Sequence, residues 1–392
     1  MRFFKDLTLS TFVAGFVSVL VGLTSSVAIV FQAALAFGAT PAQISSWMWA
    51  LGLGMGLCSL VPSLILKKPV MVAWSTPGAA VLATAGALGG FTMGDAVGAF
   101  MVSAALIFLA GVTGWFERVM GKIPQEIAAA LLAGVLAKFG MQAFSAAETA
   151  PALILSMLLT YLLARRWLPR YAVMLTLAAG IACAALQGKM NWSAIQWELA
   201  VPVFTMPTFS VAAIMSLALP LFVVTMASQN LPGVAVIRAS GYDLPVSKLI
   251  SMTGLATFVL APFGGYALNF SAITAAICMG PEAHPDPAKR YTAAATCGII
   301  YILVGIFGAV VTGLLIAFPK ELVMGIAGLA LLGSIGSGLA NAVRDESHRE
   351  AALITFLVTL SGVTLAGIGS AFWGVVAGSV ALFVQQYGRK NH

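Results

Sequence analysis

The chain has 392 residues, 60% of them apolar and 8% charged, with a mean hydropathy of +1.00. Soluble domains carry ~25% charged residues, so an ordinary soluble globule is excluded. The net charge of +7 comes from short basic clusters between apolar runs rather than from a stripe, which argues against a nucleic-acid partner.

Apolar runs of about 20 residues, the length that crosses hydrocarbon, recur from end to end. Arg2 and Lys5 precede the first, and Ala34-Leu35-Ala36 imitates a signal-peptidase site. The run from Thr11 to Phe37 is much longer than a signal core, so it reads as an uncleaved first helix. Spans are expected at 11–36, 44–66, 70–90, 95–116, 124–145, 150–167 and 171–188, then at 209–236, 246–263, 265–280, 292–317, 321–342, 350–368 and 370–387. The expected fold class is an all-α polytopic membrane protein with 14 transmembrane segments and both termini cytoplasmic. The positive-inside rule supports that count: of 20 Lys and Arg, only Lys189 and Lys320 fall on the outer side, and only Lys138 falls within a span.

Lys189 to Thr208, with Trp192, Trp197, Pro202 and Pro207, reads as an interfacial linker with aromatic anchors. It separates two halves of seven spans, an odd number, so the halves insert with opposite orientation as an inverted repeat.

The third span of each half is broken. Lys68-Pro69 leads into β-prone Val70 to Trp74, then Ser75-Thr76-Pro77-Gly78, a helix-start signal, and a small-residue helix. Pro262-Phe263-Gly264-Gly265 precedes Tyr266 to Ser271, with Asn269 or Ser271 placed to cap a second short helix. Extended backbone in hydrocarbon must be buried in protein or line a cavity. Two such stretches at matching places point to a substrate site between two half-helices, whose N-termini suit an anion.

Adjacent Ser228, Gln229 and Asn230 lie in the body of the eighth span, where polar groups must face protein or water. They are either hydrogen-bond donors to a substrate or glue between helices. Lys138, in the fifth span, either snorkels to the interface or attracts anions. Catalysis has little support. His284, His348 and His392 all fall in expected cytoplasmic segments. Cys58, Cys183, Cys278 and Cys297 have no metal-ligand spacing, and Gly333 to Gly338 reads as helix packing rather than a nucleophile turn. No enzyme activity, metal or cofactor is expected.

At Ala73-Trp74-Ser75-Thr76-Pro77-Gly78-Ala79-Ala80, Val224 to Gly233, Ile273 to Cys278 with Pro281-Glu282-Ala283-His284-Pro285-Asp286, and Gly367 to Gly374, the chain resembles the benzoate/proton symporter family along its whole length. More distantly it resembles nucleobase transporters and sulfate permeases. The resemblance implies a core domain from residues 1–120 and 209–318, a gate domain from 121–190 and 319–392, and a linker at 191–208. It implies substrate held between the half-helices of segments 3 and 10 and segment 8. Nucleobase transporters typically place acids in segments 8 and 10, where this chain has Gln229 or Asn230 and Leu268 beside Asn269. That departure favours a carboxylate over a nucleobase.

The expectation is therefore an inner-membrane secondary transporter importing an aromatic carboxylate, benzoate first, with protons. Ser75, Thr76 and Ser271 would meet the carboxylate, with Gln229, Asn230 and Asn269 beside them, and Trp74, Tyr266, Leu268 and Phe270 would contact the ring. The expected partners are that substrate, protons and lipid, with a homodimer among the assemblies open to it. The alternatives are another anion or nucleobase carrier of the same fold, a passive anion channel, or a membrane sensor. No acidic residue falls near the midplane, which leaves the proton either to an acid at a span end, Glu117, Glu126 or Asp345 on the cytoplasmic side and Asp95, Glu148 or Glu321 on the outer side, or to the substrate carboxyl itself.

Overall fold

An apolar run in lipid satisfies its backbone by coiling on itself, and helices accordingly make up most of the chain. The computed structural model describes residues 2–24, 26–87, 89–120, 124–191, 199–363, 365 and 370–386. The principal helices are α1 (Leu9–Thr24), α2 (Val27–Ala36), α3 (Pro41–Leu66), α4 (Thr76–Ala87), α5 (Met93–Val112), α6 (Gln125–Ser145), α7 (Pro151–Trp167) and α8 (Ala172–Leu186). They continue with α9 (Val211–Ala239), α10 (Val246–Leu260), α11 (Ile273–Met279), α12 (Tyr291–Ile316), α13 (Lys320–Ala342), α14 (Arg349–Ser361) and α15 (Ser370–Gln386). Among the described residues, six helices are long and apolar enough to cross a membrane unaided. Two short strands, β1 (Val72–Trp74) and β2 (Leu268–Phe270), interrupt the helical pattern.

Several boundaries move for identifiable reasons. Helix α3 starts earlier than the apolar run because Thr40 and Gln43 form a reciprocal capping box with Pro41 at the first helical position. Thr92 and Asp95 do the same for α5. The expected single first helix is instead two, α1 and α2. At the break Ser26 Oγ donates to Gly22 O at 3.0 Å and accepts from the Trp74 indole N–H at 2.9 Å, so a distant side chain holds the interruption open. The linker has no regular secondary structure over 199–210 and is pinned across helix ends, with Val203 N–H on Ser46 Oγ, Thr205 N–H on Pro262 O and Thr208 N–H on Gly94 O. Trp192 and Trp197, the expected anchors, lie outside the described residues, as do Gly367 to Gly369 and the C-terminal residues 387–392.

Packing divides along two lines. Helices α1, α3, α5, α10 and α12 lie against one another, as do α6, α7, α8, α13, α14 and α15. Where α3 meets α12, glycine sets the distance: a Cβ on Gly52 would lie 2.6 Å from Gly305 Cα, and one on Gly56 would lie 2.7 Å from Gly298 O. Gly52 and Gly56 are one turn apart, so both face the same partner and bring the backbones together. Gly52→Leu should therefore separate the two helices. The expected result is a melting midpoint in detergent lowered by several degrees, reflecting an overpacking cost of ~1–3 kcal/mol, whereas a leucine at exposed Gly336, where a Cβ meets nothing among the described residues, should leave the midpoint unchanged.

Candidate functional site

The site is built around a ribbon of two antiparallel strands contributed by distant parts of the sequence. β1 pairs with β2 in the register Val72 with Phe270, Ala73 with Asn269 and Trp74 with Leu268. The ladder extends one bond at each end, from Ser75 N–H to Ala267 O and from Ser271 N–H to Met71 O, both 3.1 Å. Just beyond the ribbon each strand turns into a short helix, α4 after Ser75 and α11 after Ser271.

A two-stranded ribbon has two free edges, and here neutral side chains close both. On the β1 edge, Val70 N–H donates to Ser63 Oγ at 2.9 Å and Val72 N–H to Ser59 Oγ at 3.0 Å. Four residues rise ~6 Å in a helix and two rise ~6.6 Å in a strand, so serines one turn apart on α3 match alternate strand residues. On the β2 edge, Leu268 N–H donates to Thr257 Oγ1 at 3.1 Å and Phe270 N–H to Asn230 Oδ1 at 2.9 Å.

The half-helix N-termini are less open than the sequence suggests. Ser75 Oγ accepts from Gly78 N–H at 3.1 Å, Ser75 O accepts from Ala79 N–H, and Pro77 has no N–H, which leaves the half-buried Thr76 to present a first-turn donor. Ser271 rather than Asn269 serves α11, its Oγ accepting from Thr274 N–H at 3.3 Å. Each serine hydroxyl still has a proton to donate. Asn269 donates through Nδ2 to Ala267 O at 2.9 Å, and its buried Oδ1 has no partner among the described residues.

The four residues expected to contact a ring are occupied in packing. The Trp74 indole is bonded to Ser26, and Tyr266 is fully buried between Trp47 and Phe100, with ring centroids 5.8 and 5.7 Å away. Leu268 abuts Gly54, and Phe270 abuts Gly233. By strand alternation Ala73 and Asn269 occupy the opposite face of the ribbon, and Ala73 is half-buried there. Asn230 and Gln229 part company: Asn230 is fully buried, its amide also on Met226 Sδ, while half-buried Gln229 has no hydrogen-bond partner among the described residues. Lys138 lies apart from the ribbon, its ammonium against Gly362 at the C-terminus of α14, where the helix dipole favours a cation.

Helix α9 reaches the ribbon through a local widening. Leu219 N–H bonds to Ile214 O and Leu231 N–H to Met226 O, five residues back, giving π turns at Ile214–Ala218 and Met226–Asn230. Each precedes a proline, Pro220 or Pro232, whose ring would strike the carbonyl four residues earlier in a regular helix. The second π turn carries Ser228, Gln229 and Asn230. Ser59, Ser63, Thr257 and Ser26 were not singled out from the sequence. The signal for the first two was the i, i+4 serine pair in an otherwise apolar helix.

With this geometry in hand, comparison with known proteins is decisive. The family model described as benzoate membrane transport protein matches residues 5–384. The chain belongs to that family. Two relatives of it are the inner membrane protein YdcO of Escherichia coli, 50% identical over 95% of each chain, and a benzoate membrane transport protein of Acinetobacter baylyi, 40% identical over 97% of this chain and 96% of the relative. Solved structures similar to this family member include the transmembrane domain of the cyanobacterial bicarbonate transporter BicA, with a TM-score of 0.47 and 12% identity over 98% of each chain. SLC26A9 also has a TM-score of 0.47 and 12% identity, over 94% of this chain and 67% of that one.

The neighbours Gln229 and Asn230 should separate on mutation. Asn230→Leu orphans the Phe270 N–H and is expected to cost ~1–3 kcal/mol of stability, read as a lower melting midpoint in detergent. Ser63→Val should act similarly through Val70. Gln229→Leu should leave the midpoint within a degree or two of wild type. Equal losses at 229 and 230 would show that the Phe270 bond is not what Asn230 contributes.

Proposed function

We propose that this member of the benzoate membrane transport family is a multi-pass inner-membrane carrier that imports benzoate, or a closely similar aromatic carboxylate, together with protons. The observation that carries the reading is the match along residues 5–384, joined to a relative 40% identical that bears the name benzoate membrane transport protein. The inner-membrane placement follows the E. coli relative's name. Fourteen crossings in a 7+7 inverted repeat, with cytoplasmic termini, remain our reading of the topology. The two sets of mutually packed helices support its division into core and gate.

In this scheme the carboxylate lies between the starts of α4 and α11. It takes the Thr76 N–H, the Ser75 and Ser271 hydroxyls and the Gln229 amide, a set of neutral donors suited to an anion. Asn230 positions β2 from behind. With Trp74, Tyr266, Leu268 and Phe270 committed to packing, the ring takes the Ala73 and Asn269 face.

Radiolabelled benzoate uptake into proteoliposomes tests the reading. An imposed pH gradient, acid on the entry side, should drive accumulation above the external concentration; simple equilibration with or without the gradient would indicate a passive pore. For the site, Gln229→Ala should weaken benzoate binding about tenfold, the loss of one donor to a charged acceptor. Ser271→Asp should be far worse than Ser271→Ala. Like charges ~4 Å apart at an effective dielectric of ~20 repel by about 4 kcal/mol, roughly a thousandfold in affinity. Equal binding by the Asp and Ala variants would move the carboxylate elsewhere.

A further inference from the structure

Among the described residues, the buried side-chain oxygens without a hydrogen-bond partner are mostly hydroxyls, those of Ser103, Thr225, Tyr266, Thr274 and Thr359. Asn269 Oδ1, in the middle of the ribbon, differs from them in kind. A hydroxyl carries its own rotatable proton and serves as donor or acceptor, whereas an amide oxygen only accepts. Which end of the amide is free follows from its other contact. Asn269 Nδ2 donates to Ala267 O at 2.9 Å, and that carbonyl also accepts the Ser75 N–H. A carbonyl has no proton to give, so the amide end facing it is the nitrogen and the free end is the oxygen. Asn230 makes the contrast: its oxygen takes the Phe270 N–H and its nitrogen lies on Met226 Sδ, so both of its ends are used.

The register sets this acceptor on the same side of the ribbon as the two serines. Ala73 lies opposite Asn269, and the ladder bonds of Ser75 to Ala267 and of Ser271 to Met71 carry the alternation one step further at each end. Alternate strand residues share a face, so Ala73, Ser75, Asn269 and Ser271 lie on one side and Val72, Trp74, Leu268 and Phe270 on the other. The second group is closed by packing, while Ala73, directly across from Asn269, is only half-buried. From Ser271 to Asn269 the strand advances ~6.6 Å, about the length of a benzoate from its carboxylate to the far side of its ring. A carboxylate held at the Ser271 hydroxyl therefore lays its meta and para carbons beside Asn269, and its ortho carbons stay next to the serine.

We propose that the site prefers an aromatic carboxylate bearing a meta or para hydroxyl over benzoate itself, with Asn269 Oδ1 accepting the hydroxyl proton; this rests on the transport reading and the placing of the ring above. A bare ring laid over Asn269 shuts the buried oxygen off from any donor, and a hydroxylated ring brings the donor with it. Such a site discriminates in one direction. It penalises the analogue that lacks the hydroxyl more strongly than an apolar pocket penalises one that carries it, because the unpaired group belongs to the protein. A methoxy group brings an oxygen without a proton, and a fluorine brings neither, so neither pairs with an acceptor.

The test is calorimetric binding to the full chain in detergent at neutral pH, using benzoate and its 3- and 4-hydroxy, fluoro and methoxy derivatives. At least one hydroxybenzoate should bind about tenfold more tightly than benzoate, with the fluoro and methoxy compounds of the same position no tighter than benzoate. Asn269→Leu removes the acceptor and leaves Ala267 O with the Ser75 N–H. In that variant the ratio of hydroxybenzoate to benzoate affinity should fall to within about twofold of one. The proposal is overturned if neither hydroxybenzoate outbinds benzoate, if a fluoro or methoxy compound gains as much as its hydroxyl counterpart, or if Asn269→Leu keeps the wild-type ratio. Should that variant not fold, the ligand series on wild type decides alone. Wild type binding none of these acids would instead overturn the transport reading.

Discussion

A backbone N–H or C=O in hydrocarbon has no water to fall back on, and the architecture follows from that requirement. Helices meet it internally. The ribbon cannot, because two short strands leave two edges, and each orphaned group would cost several kcal/mol. The protein answers with hydroxyls and one amide on the flanking helices: Ser59 and Ser63 on one edge, Thr257 and Asn230 on the other. These bonds fix where α3, α9 and α10 must stand around the ribbon.

The same requirement shapes α9. Two prolines in one long helix would each break it, yet α9 runs from Val211 to Ala239. The π turns before Pro220 and Pro232 make room for the ring and keep the chain helical. The second delivers Asn230 to the edge of β2 and leaves Gln229 turned elsewhere, so a backbone repair and a candidate binding group arise from one distortion.

Much of this was legible in the sequence, and what escaped has a common cause. Pro69, Trp74, Ser75-Thr76-Pro77 and the Gly264-Gly265 pair marked both broken spans, because breakers and caps act locally. The roles of Ser59 and Ser63 did not show, since a serine in an apolar helix reads equally as packing until its strand partner is known. The break after α1 depends on Trp74, about 50 residues away. Gln229 and Asn230 could not be told apart because a π turn shifts the helical phase, and with it the face each residue presents. Ring contacts at Tyr266 and Phe270 were inferred from residue type; which face of a strand is packed depends on helices remote in sequence.

The strands of the ribbon lie about 200 residues apart in the chain, which has a consequence for biosynthesis. Chains emerge from the ribosome N-terminal end first. When Val70 to Trp74 enters the membrane, Ser59 and Ser63 are already in place, whereas every partner from β2 has yet to be made. One edge of the nascent strand can be sealed at once by its own upstream helix, and the other must wait until Phe270 has been synthesised. The serine pair on α3 thus serves as a holding fixture within the newborn chain, keeping an unfinished strand attached to its final neighbour while the second half of the protein is translated.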